Sequence, residues 1–255
     1  MKIYVCVKHV PDSAATITIE GRKRIDERVT FLLNPYDENA VEAAVQLKAQ
    51  VADGEIVAVT LGKAGAADTL RSALAMGADR GIHIESSDAP DSLLTAQALA
   101  AAMNQDGAGD IIFTGKVAID SEGCQTMFRI AAALDWPVVN NVSALRLEGR
   151  TLTLECELEA GGRQTLKAPL PCVIGTAKAL NQPRYPTLPA IMKARKKAIS
   201  SVPLESLKPA LPDAGMELLQ LKPALERRRG TILSGSPDTA VAELIRLLRE
   251  EAKVI

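Results

Sequence analysis

The chain has 255 residues, of which 47 % are hydrophobic but only 3 % aromatic, and its formal net charge is −1. That length fits one large or two small domains, and an interior of alanine, valine, leucine and isoleucine suits helices packed on a mostly parallel sheet. The near-neutral balance gives no global attraction to nucleic acid, and no apolar run is long enough to enter a membrane.

Taken in chain order, Lys2–Val7 reads as a buried strand from its β-branched and aromatic content. TITIEGRKRIDE (16–27) alternates and turns at Glu20-Gly21, a hairpin signal. Asn34-Pro35-Tyr36-Asp37 opens a helix to about Gln50, with Val41, Ala44 and Val45 as its apolar stripe. EIVAVTLG (55–62) is a second buried strand, followed by a helix with Ala67, Leu70 and Leu74 on one face. RGIHIE (80–85) is a third strand, Ser92–Met103 a third helix, DIIFTGK (110–116) a fourth strand, and a helix follows from about Glu122 to Leu134. This succession predicts an α/β fold with a doubly wound, mostly parallel sheet. Ligands of such sheets lie outside the carboxyl ends of the strands, where the loops Val7–Pro11, Thr60–Gly65 and Thr114–Gln125 meet.

From Val138 the pattern changes to alternation with turns at Glu148-Gly149 and Gly161-Gly162, an antiparallel segment. PCVIGTA (171–177) returns as a buried strand. The α/β domain, which includes 184–197, is therefore expected over 1–200. Residues 201–255 read as a proline-punctuated arm ending in a helix, Asp238–Ala252, started by Ser236-Pro237-Asp238. Val241, Leu244, Ile245 and Leu248 give that helix one apolar face, which must be covered by its own domain or by a partner.

The four cysteines, Cys6, Cys124, Cys156 and Cys172, form no CxxC pair, and with two histidines in the chain a zinc site is not expected. The N-terminal run MKIYVCVKHV is too short for a signal segment, so a cytoplasmic protein is expected. His9, alone near the end of the first strand, reads as structural, and no pair of titratable groups points to acid–base catalysis. GKVAIDSEGCQT (115–126) runs from a strand end into a helix. Backbone N–H groups there, with Lys116, Ser121, Gln125 and Thr126, are suited to a phosphate. An ordinary helix capped by Asp120 or Ser121 has the same pattern.

Five stretches resemble the beta subunit of electron transfer flavoproteins: VCVKHVPD (5–12), NPYDENAVEAAVQLK (34–48), LRSALAMGADRGIHIE (70–85), GKVAID with LDWP (115–120, 134–137) and NQPRYPTLPAIMKARKK (181–197). The resemblance covers nearly the whole chain. It implies an adenine-nucleotide alpha-hydrolase-like sheet, a heterodimer with an alpha subunit that holds FAD, and electron flow from an acyl-CoA dehydrogenase to a membrane quinone oxidoreductase or another acceptor. It implies no nucleic acid and no membrane insertion. The family's nucleotide contacts fall on Cys6, Asn34, Pro35, Tyr36, Asp37, Leu61, Gly115, Lys116, Asp120, Ser121, Glu122, Gly123, Cys124, Gln125 and Thr126. Ordinary members hold AMP there, as a structural nucleotide; bifurcating members hold a second FAD that oxidises NADH. Gln125-Thr126 and LDWP follow the ordinary pattern, which makes AMP the expected ligand and FAD the alternative. Met127 stands where both patterns place glycine, and its side chain is expected to crowd the phosphates.

Residues 184–197, RYPTLPAIMKARKK, carry five basic side chains and no acidic one, with Leu188, Ile191 and Met192 among them. They resemble the family's recognition loop, in which a leucine enters an apolar pocket of the dehydrogenase. Leu188 takes that place, with Ile191 and Met192 beside it, and Lys193, Arg195, Lys196 and Lys197 are expected to steer an acidic partner. A stand-alone nucleotide sensor is a further possibility for a doubly wound fold. The arm and terminal helix argue against it.

Overall fold

The computed structural model describes residues 1–207, 215–223 and 230–255. Lys2–Cys6 is a central strand, β1, with its apolar residues buried on both faces of a sheet. Ile3 and Val5 join one core layer, and Tyr4 and Cys6 the other. Two small ribbons follow off the main sheet. One pairs β2 (His9–Pro11) with β5 (Phe31–Leu33); the other is the hairpin of β3 (Ile19–Glu20) and β4 (Arg24–Ile25), turning at Gly21 as expected.

The chain then alternates as the sequence predicts: α1 (Pro35–Lys48), β6 (Glu55–Gly62), α2 (Ala66–Met76), β7 (Arg80–Glu85), α3 (Ser92–Asp106), β8 (Ile111–Gly115) and α4 (Thr126–Leu134). Three antiparallel strands come next, β9 (Val138–Glu148), β10 (Thr151–Glu157) and β11 (Arg163–Pro169). β12 (Cys172–Thr176) then returns to the sheet interior, parallel to both β8 and β9. Together with β13 (Ile199–Pro203) they form one nine-stranded sheet in the order β11-β10-β9-β12-β8-β1-β6-β7-β13.

The sheet is doubly wound. α1 and α2 cover one face through Val41, Ala44, Leu47, Leu70 and Leu74; α3 and α4 cover the other through Leu99, Met103, Ile130 and Ala131. Each buried Val, Leu, Ile or Met side chain among them contributes about 1.5–3 kcal/mol. At the amino ends of the strands, away from the predicted ligand end, Arg80 bridges Glu55 and Asp106 at 2.7 Å each, and the Tyr4 hydroxyl meets Asp106 at 2.9 Å.

Three expectations need correction. The domain boundary at residue 200 cuts a strand: β13 pairs in parallel with β7 through Pro203, where a proline is tolerated because β13 is an edge strand. A short helix, α6 (Leu204–Leu207), then buries Leu204 and Leu207 in the core layer of α3. The arm proper begins beyond it, with 208–214 outside the described residues. Second, the fourth long helix starts at Thr126 rather than near Glu122, because Glu122 and Cys124 take left-handed backbone conformations (φ 48° and 51°). Third, residues 184–197 are not all loop. α5 (Leu188–Ala194) is capped by Thr187, whose hydroxyl accepts from the Ala190 N–H at 3.4 Å, and Pro189 sits in its first turn, where a proline favours a helix.

The described arm residues run over the main body. The Gly215 N–H donates to Asp91 at 2.8 Å, the Leu221 N–H to the Arg22 carbonyl at 2.7 Å, and Lys23 pairs with Glu217. The last helix, α7 (Pro237–Glu250), is capped by Ser236 as expected. None of its residues is buried among the described residues, and Val241, Leu244 and Ile245 stand exposed.

Candidate functional site

β1 is where the winding of the sheet reverses. The chain proceeds from β1 outward through β6 and β7, then returns to lay β8 on the other side of β1. The loops leaving the carboxyl ends of β1 and β8 meet at this switch point, the usual ligand position in this architecture.

The Asn34-Pro35-Tyr36-Asp37 stretch holds this switch point together. Asp37, in the first turn of α1, accepts the Lys8 N–H on Oδ2 at 2.7 Å and the Gly115 N–H on Oδ1 at 3.0 Å. One buried carboxylate thus ties the end of β1 to the end of β8. Gly115 is required for this approach, since a Cβ there would collide with Asp37 Oδ1 and with Tyr36. Asn34 is fully buried and caps no N–H of its own helix. Its amide instead donates to the Val117 carbonyl at 2.9 Å and accepts the Ile119 N–H at 3.1 Å, which fixes the loop after β8. Pro35 is exposed at the first helical position, and Tyr36 lies under the Lys116 ammonium, 5.6 Å from its ring centre.

The loop 116–125 is latched from the other side by Lys8, whose ammonium meets Asp120 at 2.7 Å and the Ser121 hydroxyl at 3.3 Å. Beyond this latch Glu122, Gly123, Cys124 and Gln125 are exposed. Glu122 and Cys124 have positive φ, Gly123 between them does not, and Gln125 has φ −109°. Alternation of αR and αL residues is the backbone pattern from which anion-binding nests are built. Held at non-glycine residues, it is also local strain of the sort that collects at functional sites. Gln125 Oε1 accepts from Arg129 at 2.6 Å, leaving the amide N–H groups of Gln125 available, and Thr126 begins α4. Lys116 Nζ donates to Asn141 Oδ1 at 3.1 Å on an irregular stretch of β9. Cys6 and Leu61 line the ends of β1 and β6; burial pushes the Cys6 thiol up to about 12, which leaves it an unreactive packing group.

Met127 does not crowd the switch point as expected. It is buried in the core layer of α4, with its sulfur against Gly175 of β12. The first turn of α4 rotates it inward, so its bulk is absorbed by a glycine on the neighbouring strand. Sequence reasoning missed Thr114. Its hydroxyl lies buried at the carboxyl end of β8 and has no hydrogen-bond partner among the described residues. The signal was present as the last side chain of a strand that ends at the switch point. His9 stacks on Phe31 at 4.5 Å and meets the Thr69 hydroxyl at 2.7 Å, and burial lowers its pKa. Among the described residues no cluster of three metal-ligating side chains occurs, and Cys124 is the one exposed thiol.

On the second candidate surface, Leu188, Ile191 and Met192 stand 73 %, 40 % and 53 % exposed on α5, with Lys193, Arg195 and Lys196 exposed around them. Lys197 departs from this expectation. Its ammonium donates to the Leu74 and Ala78 carbonyls at 2.9 and 2.6 Å, so it caps the end of α2 instead of facing solvent, and burial lowers its pKa.

Asp37 sets a pH-dependent test. Burial pushes its carboxyl up to about 7, against the pull of its backbone hydrogen bonds. The folded chain then keeps a proton that the unfolded chain releases between the ordinary carboxylate range and about pH 7. The stability this group contributes is full below that range and is lost as pH rises through 7. Asp37→Asn swaps one acceptor for an NH₂ that faces an N–H, and is expected to cost about 1–3 kcal/mol. Because the variant has no such titration, its deficit in denaturant unfolding should be larger at pH 5 than at pH 8. An equal deficit at the two values would mean that Asp37 stays ionised throughout.

Comparison with known proteins agrees with this architecture. Residues 23–207 match the family model described as the electron transfer flavoprotein domain. The chain is 38 % identical, over the full length of both, to the electron transfer flavoprotein subunit beta of Bacillus subtilis (strain 168). It is 35 % identical to that of Syntrophomonas wolfei, with 100 % of this chain and 98 % of the relative covered. With the human subunit beta it shares 40 % identity over 86 % of this chain and 84 % of the relative. No helix among the described residues is long and apolar enough to cross a membrane. With a doubly wound sheet and family similarity along its whole length, the chain belongs to the beta subunits of the electron transfer flavoproteins.

Proposed function

We propose that this chain is the non-catalytic half of a heterodimeric electron carrier: it holds AMP at the switch point between β1 and β8, while an alpha subunit holds the FAD that carries electrons. The observation that carries this reading is the exposed 121–126 loop, with its alternating φ, at the switch point of the sheet. Its N–H groups, with Ser121 and Thr126, are suited to a phosphate at the start of α4. Cys6, Leu61 and the Asn34–Asp37 turn supply the surrounding walls. Bound AMP would supply negative charge and bridging contacts and no redox chemistry. Met127 packs inward and so leaves room beside Gln125-Thr126, whose ordinary pattern supports AMP.

Electrons pass, on this reading, from an acyl-CoA dehydrogenase to a membrane quinone oxidoreductase or another acceptor, in the cytoplasm. The exposed apolar cluster of Leu188, Ile191 and Met192, ringed by basic side chains, has the make-up of a docking hot spot. The uncovered stripe of α7 supports docking on the alpha subunit.

Acid release of the ligand from the purified heterodimer, followed by chromatography and mass analysis, should yield about one AMP and one FAD. A second FAD in place of AMP, with bleaching by NADH, would establish the bifurcating class instead. Leu188→Ala should leave flavin content intact and weaken electron transfer from subsaturating dehydrogenase about thirtyfold, corresponding to ~2 kcal/mol. A wild-type rate under those conditions would remove α5 from the docking surface. Deleting residues 236–255 should reduce co-purification with the alpha subunit, and a full yield of heterodimer would assign the α7 stripe to something else.

A further inference from the structure

The exposed α5 is fastened to the body at both ends. At its far end, Arg71 of α2 donates to the Ala194 and Lys197 carbonyls at 2.8 and 2.7 Å, while Lys197 returns to the α2 carbonyls. The two helices cap each other, and Ala194 is buried between them. At the near end the fastening is made by side chains of α1. Arg184 lays its guanidinium fork on Glu42, with Nε–Oε2 at 2.7 Å and Nη2–Oε1 at 3.0 Å. Its own N–H reaches Oε2 at 3.3 Å, and Gln46 completes the set at 2.8 Å on Oε1. One turn earlier Asn39 and Asn181 exchange hydrogen bonds in both directions, Asn39 Nδ2 to the Asn181 carbonyl at 2.9 Å and Asn181 Nδ2 to the Asn39 carbonyl at 3.0 Å.

The asymmetry of the ion pair is informative. The Glu42 side chain is 5 % exposed and Arg184 is 47 % exposed. A carboxylate buried in α1 is therefore spent on an arginine that is half in water, four residues before Leu188. A solvated loop has no need of such a partner. A surface that must stand at one height and angle does, because a planar two-point pair fixes orientation where a single ammonium cannot. Glu42 and Arg184 lie outside the apolar cluster of Leu188, Ile191 and Met192.

We propose that Glu42 and Arg184 are positioning residues for partner docking, setting the pose of Leu188 through the backbone of 184–188. This rests on the reading of α5 as the dehydrogenase-docking surface. The test uses the intact heterodimer and follows flavin reduction over a range of acyl-CoA dehydrogenase concentrations. Arg184→Met and Glu42→Gln should raise the half-saturating concentration about tenfold, with flavin content and limiting rate unchanged. Arg184→Lys keeps the charge but loses the fork, and should recover only part of the loss. Combined with Leu188→Ala, neither change should add a further loss, because both act through the same side chain.

A wild-type half-saturating concentration in Arg184→Met and Glu42→Gln overturns the inference. So do losses that multiply with that of Leu188→Ala, or a fall in flavin content or limiting rate, since these mark a general structural role. Full recovery by Arg184→Lys overturns it too, in favour of simple charge steering. If Leu188→Ala alone has no effect, the docking reading itself falls and takes this inference with it; an effect of Leu188→Ala without one of Arg184→Met or Glu42→Gln rejects the positioning role only.

Discussion

Everything at the ligand end of the sheet hangs on one buried carboxylate. Two parallel strands that part at a switch point have no ladder to hold their outgoing loops together. Asp37 supplies that link by accepting one N–H from each loop. The requirement explains several neighbours at once. Gly115 must lack a Cβ, Pro35 must start the helix early enough to present Asp37 in its first turn, and Asn34 must give up ordinary capping to hold residues 117–119. The arrangement stores electrostatic tension in a part of the molecule that packing alone would leave slack.

Much of this was legible in the sequence. β-branched runs ending in glycine or threonine gave the parallel strands, and the change from helical to alternating periodicity at Val138 gave the antiparallel extension. Of the positions grouped as one site, Asp37 holds Gly115, Asn34 holds the loop at 117 and 119, and Lys8 joins Asp37 to Asp120 and Ser121. What stayed hidden depends on tertiary context. The late start of α4 arises from left-handed residues at Glu122 and Cys124, which local propensity does not favour. The inward turn of Met127 depends on Gly175, far away in the chain and on a different strand. Thr114 looks like any strand-end threonine until its surroundings prove to offer its hydroxyl no acceptor. Lys197 reads as one more surface charge within a basic run, and only the fold brings it to the last carbonyls of α2.

The two ends of the chain are built on opposite logic. The first 207 residues bury apolar surface on both faces of one sheet. By contrast, α7 keeps a well-capped helix with ion pairs from Arg246 to Glu243 and Glu250, and leaves its apolar stripe uncovered among the described residues. Such a helix has its shape specified locally and its place specified by whatever covers it.

α1 serves two surfaces. Its first turn holds the switch point together through Asp37, and its next turn carries Asn39 and Glu42, which anchor Asn181 and Arg184. The segment 181–197 is consequently not a detachable module. Grafting that stretch alone from a relative would set a foreign segment on anchors shaped for the native one. The smallest transplantable unit comprises 181–197 together with the α1 face of Asn39, Glu42 and Gln46 and with Arg71 of α2, so the pose of this segment is a property of helix faces remote from it in sequence.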